Sequence, residues 1–222
     1  MNPEQLSEQA RRAMVEGQVR PNKVTDRRII EAMETIDRAL FAREEQAGYV
    51  YVDEDLPLGD DHYLIEPVVM ARLIQAADIQ ENDMVLEIGA SSGYGTALIS
   101  SLANTVVSVD QSEAYVEWAS KNLTDVGADN AVVLHAELEN GAADQGPYDV
   151  IVVSGAVEDI PASLTDQLAD GGRLITVVRG DGDAFGEARL IRKQGGELSS
   201  TGLFDAGTPL IMKSTKNKGF VF

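Results

Sequence analysis

The stretch of this 222-residue sequence whose residue types and spacing could do chemistry is Leu86-Glu87-Ile88-Gly89-Ala90-Ser91-Ser92-Gly93-Tyr94-Gly95. It closes an apolar run and opens a helical one. Its small residues let a ligand approach the backbone, and a helix N-terminus offers unpaired N–H groups. A dinucleotide fingerprint needs glycine at the first, third and sixth places; counted from Gly89, the later two hold Ser91 and Tyr94, so the spacing fails. A nucleophile elbow is matched formally by Gly89-Ala90-Ser91-Ser92-Gly93. That device also requires an acid and then a histidine further along. The only later histidine, His135, lies at the end of a predicted strand and leaves little chain for that order. A third pattern, acid-x-Gly-x-Gly/Ser-x-Gly, is filled by Glu87, Gly89, Ser91 and Gly93. It calls for an acid closing the next strand, where one carboxylate accepts both hydroxyls of a ribose. Asp110 closes TVVSVD 21 positions after Gly89, against the usual spacing of about 20. The alternative for Asp110 is a solvated helix cap ahead of Ser112.

These residues need a scaffold, and the apolar pattern supplies one. MVLEIG (84–89), TVVSVD (105–110), AVVLHA (131–136), VIVVSG (150–155) and RLITVV (173–178) are short continuous apolar runs. Helical segments over 94–102 and 112–126, then a glycine-containing stretch, separate the first four. Continuous apolar strands alternating with helices predict a parallel sheet covered on both faces. ARLIRKQ (188–194) and GLFDAGTPLIM (202–212) predict an antiparallel hairpin at the sheet's end. Ahead of the sheet, Leu6, Ala10, Ala13 and Met14 recur at helical spacing, as do Ile29, Ile30, Met33 and Ile36. Thr25 is the expected N-cap of the second helix. Pro67 suits the first position of a third, running to Ala77. The fold class is α/β, a doubly wound sheet, mostly parallel, with a helical N-terminal cap.

Composition narrows the partners. The 37 acidic and 18 basic residues give a net charge of −19, a field that repels phosphate backbones and anionic lipids, so neither nucleic acid nor membrane is an expected partner. With no cysteine there is no disulfide framework, thiol nucleophile or zinc-thiolate site, and two histidines leave little for a metal. The N-terminus lacks the apolar core of a signal peptide, and no apolar run approaches ~20 residues. A soluble cytoplasmic protein is expected. The length and 44% hydrophobic content fit one domain over 1–222: a helical cap and loop over 1–80, a cofactor core over 81–180, and C-terminal strands over 181–222.

The glycine loop and Asp110 together are similar to the S-adenosylmethionine site of class I methyltransferases. Over nearly the full length the chain resembles the protein-L-isoaspartate O-methyltransferases. The likeness is carried by MVEGQVRPNKVTDRRIIEAMETIDRALF (14–41), YVDEDLPLG (51–59), VLEIGASSGYGTALIS (85–100) and GPYDVIVVSGAVEDIPASLTDQLADGGRLITVV (146–178). It implies a Rossmann-like methyltransferase fold, S-adenosyl-L-methionine as cofactor, and methylation of a carboxylate on a damaged protein or peptide. It also implies that Gly89, Ser91 and Gly93 line the methionine part of the cofactor, Asp110 holds the ribose, Gln111 lies beside the adenine, and Ala136 and Glu137 stand where the family places its adenine contact. The family's Gly-x-Gly-x-Thr-Ile-Ser-x-Pro acceptor stretch corresponds to Gly59-Asp60-Asp61-His62-Tyr63-Leu64-Ile65-Glu66-Pro67. Its glycine and proline anchors are kept, but Tyr63 replaces the threonine and Ile65 the serine. A hydrophobe cannot hydrogen-bond a carboxylate. The acceptor-loop candidates are then Tyr63 through its hydroxyl, His62, and Glu66, the last better placed to favour the N-terminus of the Pro67 helix. Those replacements leave open the same fold acting on another acceptor, such as a small molecule, or an S-adenosylmethionine-binding protein without catalysis. The family's Arg-Phe-Val-Pro-Leu segment is also absent, with Gly207-Thr208-Pro209-Leu210 in its region. Lys213 to Lys218 read as a solvated connection, and Phe220-Val221-Phe222 as a return to the core.

Overall fold

A short antiparallel hairpin, β1 (Leu56–Gly59) and β2 (His62–Leu64), precedes the main sheet. The computed structural model describes residues 3–180 and 182–214; the C-terminal Phe220-Val221-Phe222 and most of the lysine run lie outside them. Five strands of the main sheet run parallel: β3 (Met84–Ile88), β4 (Thr105–Asp110), β5 (Ala131–His135), β6 (Tyr148–Val157) and β7 (Leu168–Val178). Two more, β8 (Gly186–Gln194) and β9 (Glu197–Ala206), continue it as an antiparallel hairpin. The spatial order is β5-β4-β3-β6-β7-β8-β9. The chain therefore winds outward from β3 through β4 and β5, then crosses back to β6 on the other side of β3. That reversal creates a crevice at the carboxyl ends of β3 and β6, where open α/β sheets bind ligands.

Helices cover both faces. α1 (Pro3–Met14), α2 (Arg27–Thr35) and α3 (Pro67–Ala77) form the N-terminal cap; α4 (Tyr94–Ser100), α5 (Glu113–Asp125) and α6 (Ala162–Asp166) connect the strands. The pleat divides the core. Val85, Val106 and Val150 pack toward α3 and α4, while Leu86, Val107 and Ile151 pack with Leu164 and Leu168 on the opposite face. In β3, β4 and β6 neither face is left to water, so these strands read as unbroken apolar runs, whereas edge strand β5 leaves Val132 47% exposed.

The structure departs from the sequence reading in three places. α1 does not bury the expected apolar set: Leu6 is 51% exposed, and only Met14 is fully covered. Ser7 and Arg11 face inward instead, on Asp37 at 2.7 and 3.0 Å, so polar bonds dock this helix. α2 is capped by Asp26 rather than Thr25. The Asp26 carboxylate accepts from Arg28 N at 2.9 Å, while Thr25 N donates to Gln75 Oε1. Finally, 202–212 is not one strand. β9 stops at Ala206, and β10 (Leu210–Met212) crosses over to pair in parallel with β6. Pro209 has no N–H for a ladder, but its carbonyl accepts from Ala156 N at 2.8 Å. Gly155 leaves the space that Ile211 fills, since a Cβ there would lie 2.7–2.9 Å from that side chain.

Candidate active site

The loop after β3 turns on Gly89 (φ +86°) and Ser91 (φ +50°), and Gly93 (φ +93°) caps α4. Left-handed φ values let the chain turn sharply, with the Gly89 and Ala90 amides both donating to Val109 O at 3.0 Å. Across the loop, the end of β4 presents Asp110. One carboxylate oxygen accepts Ser91 N at 2.9 Å; the other accepts Ser112 N and His62 Nε2, each at 2.9 Å. Two backbone amides thus fix the buried carboxylate in the wall of a cavity of about 860 Å³, within the usual range of about 300–1,000 Å³ for small-molecule sites.

Of the residues expected in the site, Gly89, Ser91, Asp110, Gln111, His62 and Tyr63 line this cavity together. Glu87 does not. It is fully buried beneath the loop, where Ser154, Ser108 and Thr96 donate to its carboxylate at 2.6, 2.8 and 2.5 Å. Burial pushes its pKa up against those three hydroxyls. Glu87 joins β3, α4, β4 and β6 and leaves room only for glycine at position 95, where a Cβ would overlap its Oε1. Gly93 also sits behind the lining, against Ala119 of α5. Ala136 and Glu137 lie off the cavity, Glu137 exposed, and Leu138 supplies the wall there. Glu66 lies off it too, at the N-cap of α3, with its backbone N–H on Asp55 at 2.9 Å. Burial, then Asp53 and Asp55, push its carboxyl up to about 7.

The acceptor hairpin is held from three sides. Arg38, completely buried, donates to Val50 O and Ile65 O at 2.9 and 2.6 Å. Arg43 and the Tyr115 hydroxyl both donate to Leu58 O. His62 stacks on Tyr115 with ring centres 3.7 Å apart and planes 6° off parallel. Its Nδ1 meets Asp60 O at 2.7 Å while its Nε2 meets Asp110. Both partners only accept, which calls for the doubly protonated ring. Burial alone would lower its pKa, but the bond to Asp110 and the charges of Asp110 and Asp60 outweigh it, and the net shift is upward.

Sequence reasoning missed Arg38 and the far wall of the cavity. Arg38 falls inside a stretch whose resemblance was legible, yet nothing in its spacing tells a buried arginine from a surface one. Arg179, Thr208 and Lys213 line the same cavity as Tyr63 and Ile65. They are brought there by the end of β7 and by the crossover into β10.

A parallel sheet with a glycine loop and a strand-end carboxylate at its switch point defines a Rossmann-like methyltransferase fold. The comparisons agree. A family model described as Protein-L-isoaspartate(D-aspartate) O-methyltransferase matches residues 9–204. A protein-L-isoaspartate O-methyltransferase of Koribacter versatilis is 35% identical over 202 residues, 90% of each chain; one of Methanoculleus marisnigri is 36% identical over 185 residues, 83% of this chain and 84% of that one. A solved protein-L-isoaspartate O-methyltransferase superposes with a TM-score of 0.80 at 27% identity, covering 90% of this chain and 65% of that one. A putative Plasmodium falciparum protein-L-isoaspartate O-methyltransferase, solved in complex with S-adenosyl-L-homocysteine, superposes at 0.73 and 20% identity over 88% and 95%, which shows the fold. The chain belongs to the protein-L-isoaspartate(D-aspartate) O-methyltransferase family.

Proposed function

We propose that the protein transfers the methyl group of S-adenosyl-L-methionine to the free carboxylate of an isoaspartyl residue in a damaged protein or peptide. The observation that carries this reading is Asp110, held by the Ser91 and Ser112 amides in the wall of a ligand-sized cavity. The residues present fit the cofactor. Asp110 offers a carboxylate to a ribose, Gly89 leaves backbone accessible, and the buried Ser91 hydroxyl has no partner of its own. Gln111 stands beside Asp110 for the adenine side. Glu87 and Gly93 support the loop from behind.

Bound there, the cofactor supplies a methyl group on a sulfonium, which a carboxylate oxygen displaces in line. A carboxylate is ionised near neutral pH, so the protein has no proton to remove. Its work is to hold the acceptor in line and keep water out. Ile65, 4% exposed, makes that part of the cavity apolar. Of the loop candidates, His62 has both ring nitrogens engaged and Glu66 lies off the cavity, leaving Tyr63 on the acceptor wall. Asp55, Asp61 and Asp183 also line the cavity. They favour a second reading, the same chemistry on an uncharged acceptor such as a small-molecule hydroxyl or amine. Action as one domain over 1–222, in the cytoplasm, belongs to the proposal and rests on length and composition. Among the described residues no helix is long and apolar enough to cross a membrane. The test is label transfer from S-adenosylmethionine to an isoaspartyl peptide, with its aspartyl counterpart as control.

A further inference from the structure

We propose that Arg179, with the Thr208 hydroxyl, receives the acceptor carboxylate and takes over the role of the serine that Ile65 replaces. The inference rests on the methyl-transfer reading above. Arg179 directly follows β7, and its N–H donates to Val157 O at 2.9 Å, which fixes its backbone at the carboxyl edge of the sheet. In the order β4-β3-β6-β7 that edge lies three strand spacings from Asp110, about 14 Å. A nucleoside held at Asp110 leaves Arg179 to the other end of the cavity. Arg179 lines the cavity together with Asp55, Tyr63 and Ile65 of the acceptor loop. Asp55, whose carboxyl is pushed up chiefly by burial, feels Arg179 as one of the charges pulling it back down. Asp55 itself accepts from the backbone of Glu66, the residue after Ile65.

Besides the protonated His62, which is held on Asp110, Arg179 and Lys213 are the cations among the lining residues. The Arg179 guanidinium makes no hydrogen bond or ion pair among the described residues, although Asp55 and Asp183 share the cavity with it. Thr208 is 2% exposed, and its hydroxyl is buried with no partner. Two residues later, Leu210 pairs with Ala156 of β6, whereas Arg179 follows Val178, which pairs with Val157. Both residues line the cavity at the end of β6. A planar guanidinium and a hydroxyl lining one cavity form a receptor for a carboxylate. Ser154, the remaining hydroxyl on this wall, is committed to Glu87 at 2.6 Å. The arginine also offsets the negative lining for a charged acceptor. The ester product carries no charge, so the pairing holds substrate and releases product.

The experiment is steady-state methylation of an isoaspartyl hexapeptide by the full chain, with KM measured separately for peptide and for S-adenosylmethionine. Thermal melts and donor binding confirm that each variant is folded. Arg179→Ala should raise the peptide KM by at least ~10-fold, with kcat within about 3-fold and the donor KM unchanged. Arg179→Lys should recover part of the loss, and Thr208→Val should raise the peptide KM by roughly 3- to 5-fold. Added salt should raise the peptide KM of the unaltered protein more than that of Arg179→Ala. A parental peptide KM in folded Arg179→Ala overturns this proposal and leaves the methyltransferase reading standing. If Arg179→Ala does not fold, parental KM values in both Arg179→Lys and Thr208→Val overturn it. An unaltered protein that binds the donor yet methylates no isoaspartyl peptide overturns both readings.

Discussion

Asp110 is the residue on which the site turns, because the glycine loop, the start of α5 and the acceptor hairpin all meet at its carboxylate. On the proposed cofactor placement, Asp110→Ala removes a charged acceptor of two ribose hydroxyls. It should weaken S-adenosylmethionine binding by about 2–4 kcal/mol, since each charge-assisted bond contributes ~1.5–3 kcal/mol and the two are not additive. Titration calorimetry reads this as a loss of roughly 30- to 700-fold, and unchanged affinity would place the ribose elsewhere. Glu66 makes a different prediction. Its folded pKa, about 7, lies above the ordinary 4.5. The folded state therefore prefers the neutral acid, and stability is lost as pH rises from the unfolded value through about 7. Glu66→Gln should match the parent near pH 4 and melt higher at pH 8, by about 1 kcal/mol after solvent screening, or roughly 2–4 °C. A stabilisation equal at both pH values would remove ionisation as its cause. The place of Asp110 beside the glycine loop was legible because the acid closes a strand at a fixed distance from that loop, while its bond to Ser112 N is the one expected of the alternative, a helix cap. Glu87 fitted the same pattern, but the pattern does not say on which side of the loop a carboxylate points, and the pleat sends this one inward.

At the scale of elements, the loop between β3 and α4 depends on Gly93. Its φ of +93° belongs to glycine, and a Cβ would stand 3.2 Å from that of Ala119. Gly93→Ala should destabilise the fold by about 1–3 kcal/mol through backbone strain and crowding against α5. Chemical denaturation measures it, and a loss below ~0.5 kcal/mol would mean the loop relaxes freely. The parallel strands β3, β4 and β6 were readable because both their faces are buried, which turns tertiary position into sequence composition. α1 was misread for the converse reason. Helical spacing of Leu6, Ala10 and Ala13 says that a face exists, whereas Ser7 and Arg11, bonded to Asp37, decide which face turns inward. β10 was hidden inside a longer apolar run, since its partner is β6, more than fifty residues away, and not the strand beside it.

For the molecule as a whole, a net charge of −19 sets the background against which a negatively charged acceptor must be drawn in. Composition reported that charge but not where the exceptions fall. The far wall of the cavity, with Arg179 and Lys213, forms only when β7 ends beside the crossover into β10. The fold and the glycine loop beside Asp110 were thus largely written in local patterns, while the proposed acceptor site depends on segments distant in sequence coming together. The most direct measurement of the central claim pairs an isoaspartyl peptide with the same peptide containing ordinary aspartate, each incubated with the full chain and methyl-labelled S-adenosylmethionine. Base-released labelled methanol is then collected from both. The account predicts label from the isoaspartyl peptide and none above background from the aspartyl one; no label from the isoaspartyl peptide, with the protein folded and donor bound, would contradict it.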